Sequence, residues 1–149
     1  MDQDEMKILI FELNGEHYAT DILDVERILG YVQTTEMPDA PSFVEGVINY
    51  EDSILPIISL NKKFKFNSTC NKEQTKIIVV KREEKKYGVV VDNVYEVTDI
   101  NKESFETAPP ITNQISHKYI KGLVKLKDKI VILLDIVNIL NEEEENMIF

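Results

Sequence analysis

Chemistry by side chains needs nucleophiles, titratable groups or metal ligands held at short range, and this sequence offers few of them. Its two histidines, His17 and His117, lie far apart, and neither sits in the H-x-x-x-H or H-x-E spacing that would bring a second group to a zinc ion. His17 falls in the turn region Asn14 to Tyr18 and His117 in a polar connection, so both are expected as solvated surface residues. The single Cys70 lies in Asn67-Ser68-Thr69-Cys70-Asn71 with no acid-base partner nearby, and it reads as a plain surface thiol rather than a nucleophile. One cysteine also excludes an internal disulfide and a multi-cysteine metal site.

The carboxylates give no clearer centre. Asp21 and Asp24 have the spacing of a first helical turn, where capping and the helix dipole explain acidic side chains. Asp92 and Asp99 lie near a strand end. An enzyme working through Asp or Glu would need two carboxylates converging in one pocket with one pKa raised. Phosphate-cradling loops of the GxGxxG or GxxxxGK type are missing. Lys118, Lys121, Lys125, Lys127 and Lys129 gather toward the end of the chain and invite comparison with an oligonucleotide-binding surface. They carry no interleaved aromatic beyond Tyr119, and a formal charge of -10 with a pI near 4.7 repels phosphate backbones. A solvated edge or an acidic protein partner fits them better. The expectation is no catalytic site, no cofactor, no metal and no nucleic acid.

Whatever the chain does must then come from its surfaces, and the elements that build them are legible in a repeat. Its 149 residues are 43% hydrophobic and 30% charged, enough to bury a core. Phe43 to Phe64 (FVEGVINYEDSILPIISLNKKF) aligns without a gap with Tyr119 to Leu140 (YIKGLVKLKDKIVILLDIVNIL), pairing Gly46 with Gly122 and Ile54 with Ile130. KILIFELNGEHYATDILDVERI from Lys7 matches KIIVVKREEKKYGVVVDNVYEV from Lys76, pairing Tyr18 with Tyr87 and Val25 with Val94. The offsets are 76 and 69, so the second copy carries extra residues in its middle connection, where Ala108-Pro109-Pro110 and Asn113-Gln114 stand.

The chain reads as one domain over 1–149 with approximate subdomain repeats 7–66 and 76–141. The β-branched runs Ile8 to Leu13, Ile54 to Ile58, Ile77 to Val80, Val89 to Val91 and Ile130 to Leu134 predict strands. Asn14-Gly15, Tyr50 to Ser53, Arg82 to Lys86 and Lys127 to Lys129 predict reversals. Helical spacing of Ile22, Val25, Ile28 and Leu29 after Asp21 predicts a helix from Ile22 to Leu29. A second, capped by Asp135, begins at Ile136 and runs into Glu142 to Glu145, an acidic run that would oppose the dipole at a C-terminus. The fold class is mainly β: two small, largely antiparallel barrels with short helices, too small to stand alone and therefore packed together, with Gly46 and Gly122 in equivalent turns.

No apolar run approaches the roughly 20 residues that cross a bilayer, and the start Met1-Asp2-Gln3-Asp4-Glu5 is acidic where a signal peptide is basic. The expectation is a cytoplasmic protein without direct membrane insertion. Charge divides unevenly: residues 1–68 carry 13 acids and 5 bases, while residues 69–149 carry 14 and 12. An acidic module and a more basic one suit head-to-tail contacts between similar units, and charged barrel edges also simply keep a protein soluble.

FELNGEHYATDILDVERIL, the connection Met37-Pro38-Asp39-Ala40-Pro41-Ser42-Phe43, GVINYEDSILPIISLNKKF, YGVVVDNVYEV and YIKGLVKLKDKIVILLDIVNIL occur in an order and spacing that resembles the CheW family of bacterial chemotaxis adaptors, over about Met6 to Asn141. The resemblance implies two five-stranded SH3-like barrels sharing a core. It also implies an adaptor without catalytic activity, bridging the cytoplasmic tip of methyl-accepting chemoreceptors to the regulatory domain of the histidine kinase CheA. Position by position it makes Ile22, Val25, Val47, Asn49 and Glu51 the receptor-binding residues; core packing is the competing reading for Ile22 and Val25. The kinase-facing surface would be formed by exposed apolar strand residues. Two motifs depart from the family: Asn49-Tyr50-Glu51-Asp52 stands where Asn-Leu-Arg-Gly is usual, and Asp92-Asn93-Val94 where Asp-Gly-Val is usual. Asp and Asn tolerate the left-handed conformation of the glycines they replace, whereas Glu51 reverses a charge. The resemblance also allows a CheW-like scaffold in a two-component pathway other than chemotaxis.

Overall fold

The computed structural model describes residues 5–66, 73–107 and 118–149; Cys70, His117 and the extra connection residues lie outside them. Eleven strands are present among the described residues: β1 (Glu5–Leu13), β2 (Glu16–Asp21), β3 (Val25–Gly30), β4 (Val44–Tyr50), β5 (Ser53–Ser59), β6 (Lys76–Arg82), β7 (Lys85–Val91), β8 (Asn93–Asn101), β9 (Phe105–Glu106), β10 (Ile120–Leu126) and β11 (Lys129–Leu134). Two short helices accompany them: α1 (Leu60–Lys63) follows β5, and α2 (Glu142–Ile148) follows β11.

Alternation in β1 and β6 sets the architecture. β1 sends Ile8 and Ile10 to one side and Leu9, Phe11 and Leu13 to the other, and all five are buried. β6 does the same with Ile77 and Val79 against Ile78 and Val80. A strand apolar on both faces has to lie between two cores. One set from each strand meets in a central core with Tyr87, Leu134 and Ile136, and the other set fills a separate core under its own sheet.

The sheets run β8-β1-β2-β11-β10-β9 and β3-β6-β7-β5-β4. Each therefore draws strands from both sequence segments, 7–66 and 76–141. Exchanging β1 with β6, β2 with β7, β3 with β8, β4 with β10 and β5 with β11 turns one order into the other, leaving β9 as the addition. Register follows the same exchange. Leu133 lies opposite Ala19 as Ile57 lies opposite Gly88, and the irregularity at Ile10/Phe11 against β8 matches the one at Val25/Arg27 against β6.

Gly46 and Gly122 are equivalent, but they sit in strands rather than turns. Each follows a bulge, between Val44 and Gly46 and between Ile120 and Gly122. A Cβ would meet the Thr35 carbonyl oxygen at 2.3 Å in one case and the Phe105 ring at 2.4 Å in the other. The glycines let a covering segment lie directly on the edge strand.

Both predicted helices need correction. Asp21 accepts from the Leu23 amide at 3.0 Å, yet the helix it caps is a single 3-10 turn, Ile22–Asp24, and Val25 to Gly30 is β3, paired with β6. The bulge at Glu26 breaks the period of two and spaces Val25 and Leu29 as a helix would. At the other end Asp135 makes no side-chain cap, and Ile136–Asn138 is again a 3-10 turn. The helix proper starts at Asn141, which forms a capping box with Glu144. Glu142 to Glu145 thus occupy the first turn, where the dipole favours them. Glu144 pairs with Lys63, and Glu145 accepts from Arg82 Nη1 at 2.6 Å, holding α2 against the sheets. No helix among the described residues is long and apolar enough to cross a membrane.

Candidate functional site

On β4, Gly46, Ile48 and Tyr50 face inward, which leaves Val47 and Asn49 on the outer face. Val47 exchanges both backbone hydrogen bonds with Thr35, at 2.9 Å each, so the connection after β3 lies against this edge. Between them opens a groove of about 600 Å³, lined by Leu29, Thr35, Val47, Asn49, Glu51 and Arg27 among others. Val47 is half-buried and Asn49 exposed. Glu51 occupies the β4–β5 turn with φ of 49° and Asp52 follows at 61°, both in the left-handed region. Asp52 therefore meets the requirement that a glycine usually meets.

The charge at Glu51 has an internal partner. Arg27 Nη2 stands 3.7 Å from Glu51 Oε1, with both side chains more than half exposed. The Arg27 guanidinium also lies 5.7 Å from the centre of the Tyr50 ring. Beneath it, Tyr50 donates its hydroxyl to Glu26 Oε2 at 2.7 Å, and Lys86 Nζ stands 3.0 Å from Glu26 Oε1. Burial, together with hydrogen bonds to Glu26 and Glu51, pushes the Tyr50 phenol up to about 12. The hydrogen bond from Tyr50 and then the one from Lys86 hold the Glu26 carboxyl below its ordinary value. Arg27 is thus set beside Glu51, and Glu26 is held by Tyr50 and Lys86.

Val47, Asn49 and Glu51 share that groove, whereas Ile22 and Val25 do not line it. Both are half-buried at the start of β3 and pack on the central core. Beside them the Asp24 carboxyl is raised by burial, with Lys121 lowering it and Asp21 and Asp135 raising it further. Asp21 serves the turn through the Leu23 amide, so these aspartates shape a strand entry. Asp92, also weighed as a chemical group, accepts from the Asn14 amide at 2.8 Å and from Asn61 Nδ2 at 2.6 Å, tying the β1–β2 turn to α1. No cluster of three His, Cys, Asp or Glu able to hold a metal occurs among the described residues.

Ile54 and Ile130, paired in the repeat, are the second residues of β5 and β11, with 76% and 63% of their surface exposed. They are equivalent apolar residues held in solvent at twin positions. Leu55 and Val131 beside them are buried on the opposite face, a division that the apolar runs of the sequence do not mark.

Residues 7–144 match the family described as CheW-like domain. The chain is 37% identical over 138 residues to the chemotaxis protein CheW of Klebsiella aerogenes, covering 93% of this chain and 83% of that one. It is 32% identical to the chemotaxis protein CheW of Thermotoga maritima, covering 93% and 89%. In three dimensions it resembles the crystal structure of the scaffolding protein TtCheW of Thermoanaerobacter tengcongensis, with a TM-score of 0.84, 33% identity, and 93% and 94% of the two chains covered.

Proposed function

The chain belongs to the CheW-like domain family, a family of non-catalytic scaffold proteins, and from that premise we propose that it is a cytoplasmic adaptor coupling chemoreceptors to the histidine kinase CheA. The observation that carries this reading is the match along residues 7–144 to proteins named for chemotaxis and scaffolding. The surfaces agree with it. The groove holding Val47, Asn49 and Glu51 is open and lined by the edge strand β4, which suits the docking of a receptor tip. Ile22 and Val25 lie outside that groove, half-buried beside the central core, and enter this reading as contacts that the family resemblance implies. Exposed Ile54 on β5 is the kinase-facing candidate, an apolar residue that gains by being covered.

An adaptor of this kind works without chemistry. Each partner biases the other through a body that touches both, and the bias is a coupling free energy. Two sheets sharing one central core suit that task, because strain at one sheet passes into close-packed side chains common to both. The Arg27–Glu51 pair bears on which receptor is bound. A receptor tip that meets Glu51 meets it beside Arg27, so the two charges offset each other at this turn.

The test is co-purification from the source cell with the tagged chain. A chemoreceptor and the kinase should both be enriched, and Val47→Asp should lose the receptor while keeping the kinase. Recovery of a two-component kinase with no chemoreceptor would move the chain to a pathway other than chemotaxis.

A further inference from the structure

The helix α2 is held to the body by charge more than by packing. Its 7 residues fall short of the roughly 12 to 15 that a helix needs to persist alone in water, and none of its side chains is fully buried. No other element among the described residues runs closely alongside it. Ion pairs to three separate elements fix it instead. Glu144 meets Lys63 of α1, Glu145 Oε1 stands 2.6 Å from Arg82 Nη1 at the end of β6, and Glu145 Oε2 stands 3.9 Å from Lys85 Nζ at the start of β7. Arg82 and Lys85 are more than a third exposed, so both return to water when the helix leaves. Lys63 is the buried partner, and its ammonium lies 4.7 Å from the centre of the Phe43 ring and 5.5 Å from that of Tyr119, two faces that still favour a cation once Glu144 has gone. Few buried contacts and pairs that water can replace mark an element that opens before the rest unfolds.

The far end of α2 reaches the surface assigned above to the receptor. Ile148 lies between two grooves of about 560 and 530 Å³, and Met37, Val47 and Pro56 line both with it. Val47 and Pro56 are register partners on β4 and β5, so Ile148 sits across the outer face of that pair. We propose that α2 is a strap over this face: docked, its last residues take up the flank of Val47, and lifted, they leave Val47 and Pro56 open to the receptor tip. The proposal rests on the receptor reading and adds the regulation of that site. A partner seated on this flank has to displace Ile148, and the ion pairs of Glu144 and Glu145 set how far its apparent affinity falls below that for the open face.

The test combines amide hydrogen exchange of the full chain with titration of a receptor tip fragment, for the parent, Glu145→Lys and Ile148→Ser. Glu145→Lys turns two ion pairs into repulsions, whereas Ile148→Ser removes the apolar seat and leaves the charges. In the parent, amides of residues 145–149 should exchange more slowly than an unstructured chain but at least about tenfold faster than those of β1 and β6. Both variants should speed the former several-fold without changing the latter, and both should bind the fragment about three- to tenfold more tightly. Should Glu145→Lys fail to fold, Glu145→Gln removes the same pairs. Exchange of residues 145–149 in step with β1 and β6, or at the unprotected rate in the parent, would overturn the strap, as would receptor binding left unchanged or weakened by either variant. No binding by the parent or any variant would overturn the receptor reading instead, and the exchange rates then decide the strap alone.

Discussion

Replacing Ile54 by Thr separates a contact residue from a structural one. Ile54 is 76% exposed, so the free chain already holds most of its side chain in water, and Thr keeps the β-branch that a strand favours. Stability should therefore change by less than about 0.5 kcal/mol, as surface substitutions do. In a complex that covers the residue, two carbons of buried surface are lost. At roughly 0.8 kcal/mol each this comes to about 1.6 kcal/mol, or about fifteenfold in the dissociation constant. Calorimetric titration of both variants against the regulatory domain of the kinase, with thermal melts alongside, reads both quantities. Leu55→Ala is the contrast. That neighbour is buried, and its truncation should cost about 2 to 5 kcal/mol of stability. An unchanged kinase affinity for Ile54→Thr would refute the contact, and a fall in melting temperature like that of Leu55→Ala would refute the burial argument.

Three further outcomes follow from the geometry. Asp92→Ala orphans the Asn14 amide and the Asn61 side chain and should cost about 2 to 3 kcal/mol in chemical denaturation. Tyr50 keeps its proton longer folded than unfolded, so its stabilisation is complete below pH 10 and is lost as pH rises toward about 12; Tyr50→Phe should flatten that alkaline loss in melts taken between those values. Glu51→Arg sets two like charges where an exposed ion pair stood, so the melting temperature should fall by an amount worth less than about 1 kcal/mol at low salt and recover in high salt.

The repeat made the strands legible because β-branched alternation and turn dipeptides are local signals. It also fixed which strands are equivalent, though it set Gly46 and Gly122 in turns where the structure has bulged strands. It could not disclose that β1–β2 lies beside β11 while β7 lies beside β5, since equivalence under an offset does not choose a neighbour. The first helix was misread because a bulge at Glu26 imitates helical spacing, and the second because Asn141 outcompetes Asp135 as a cap. At the groove, the position of Glu51 in a turn was readable, but Arg27 lies 24 residues away on the opposite edge strand of the sheet and meets it only because the two edges come together in the fold. Ile54 was hidden in an apolar run whose two faces the sequence does not label.

The central claim is that one body holds receptor and kinase together. Sedimentation velocity of the chain mixed with a receptor tip fragment and the kinase regulatory domain tests it directly. The expected result is a species containing all three that is absent when the chain is omitted, and that loses the receptor fragment alone with Val47→Asp. Binding of neither partner, or of each only by displacing the other, would contradict it.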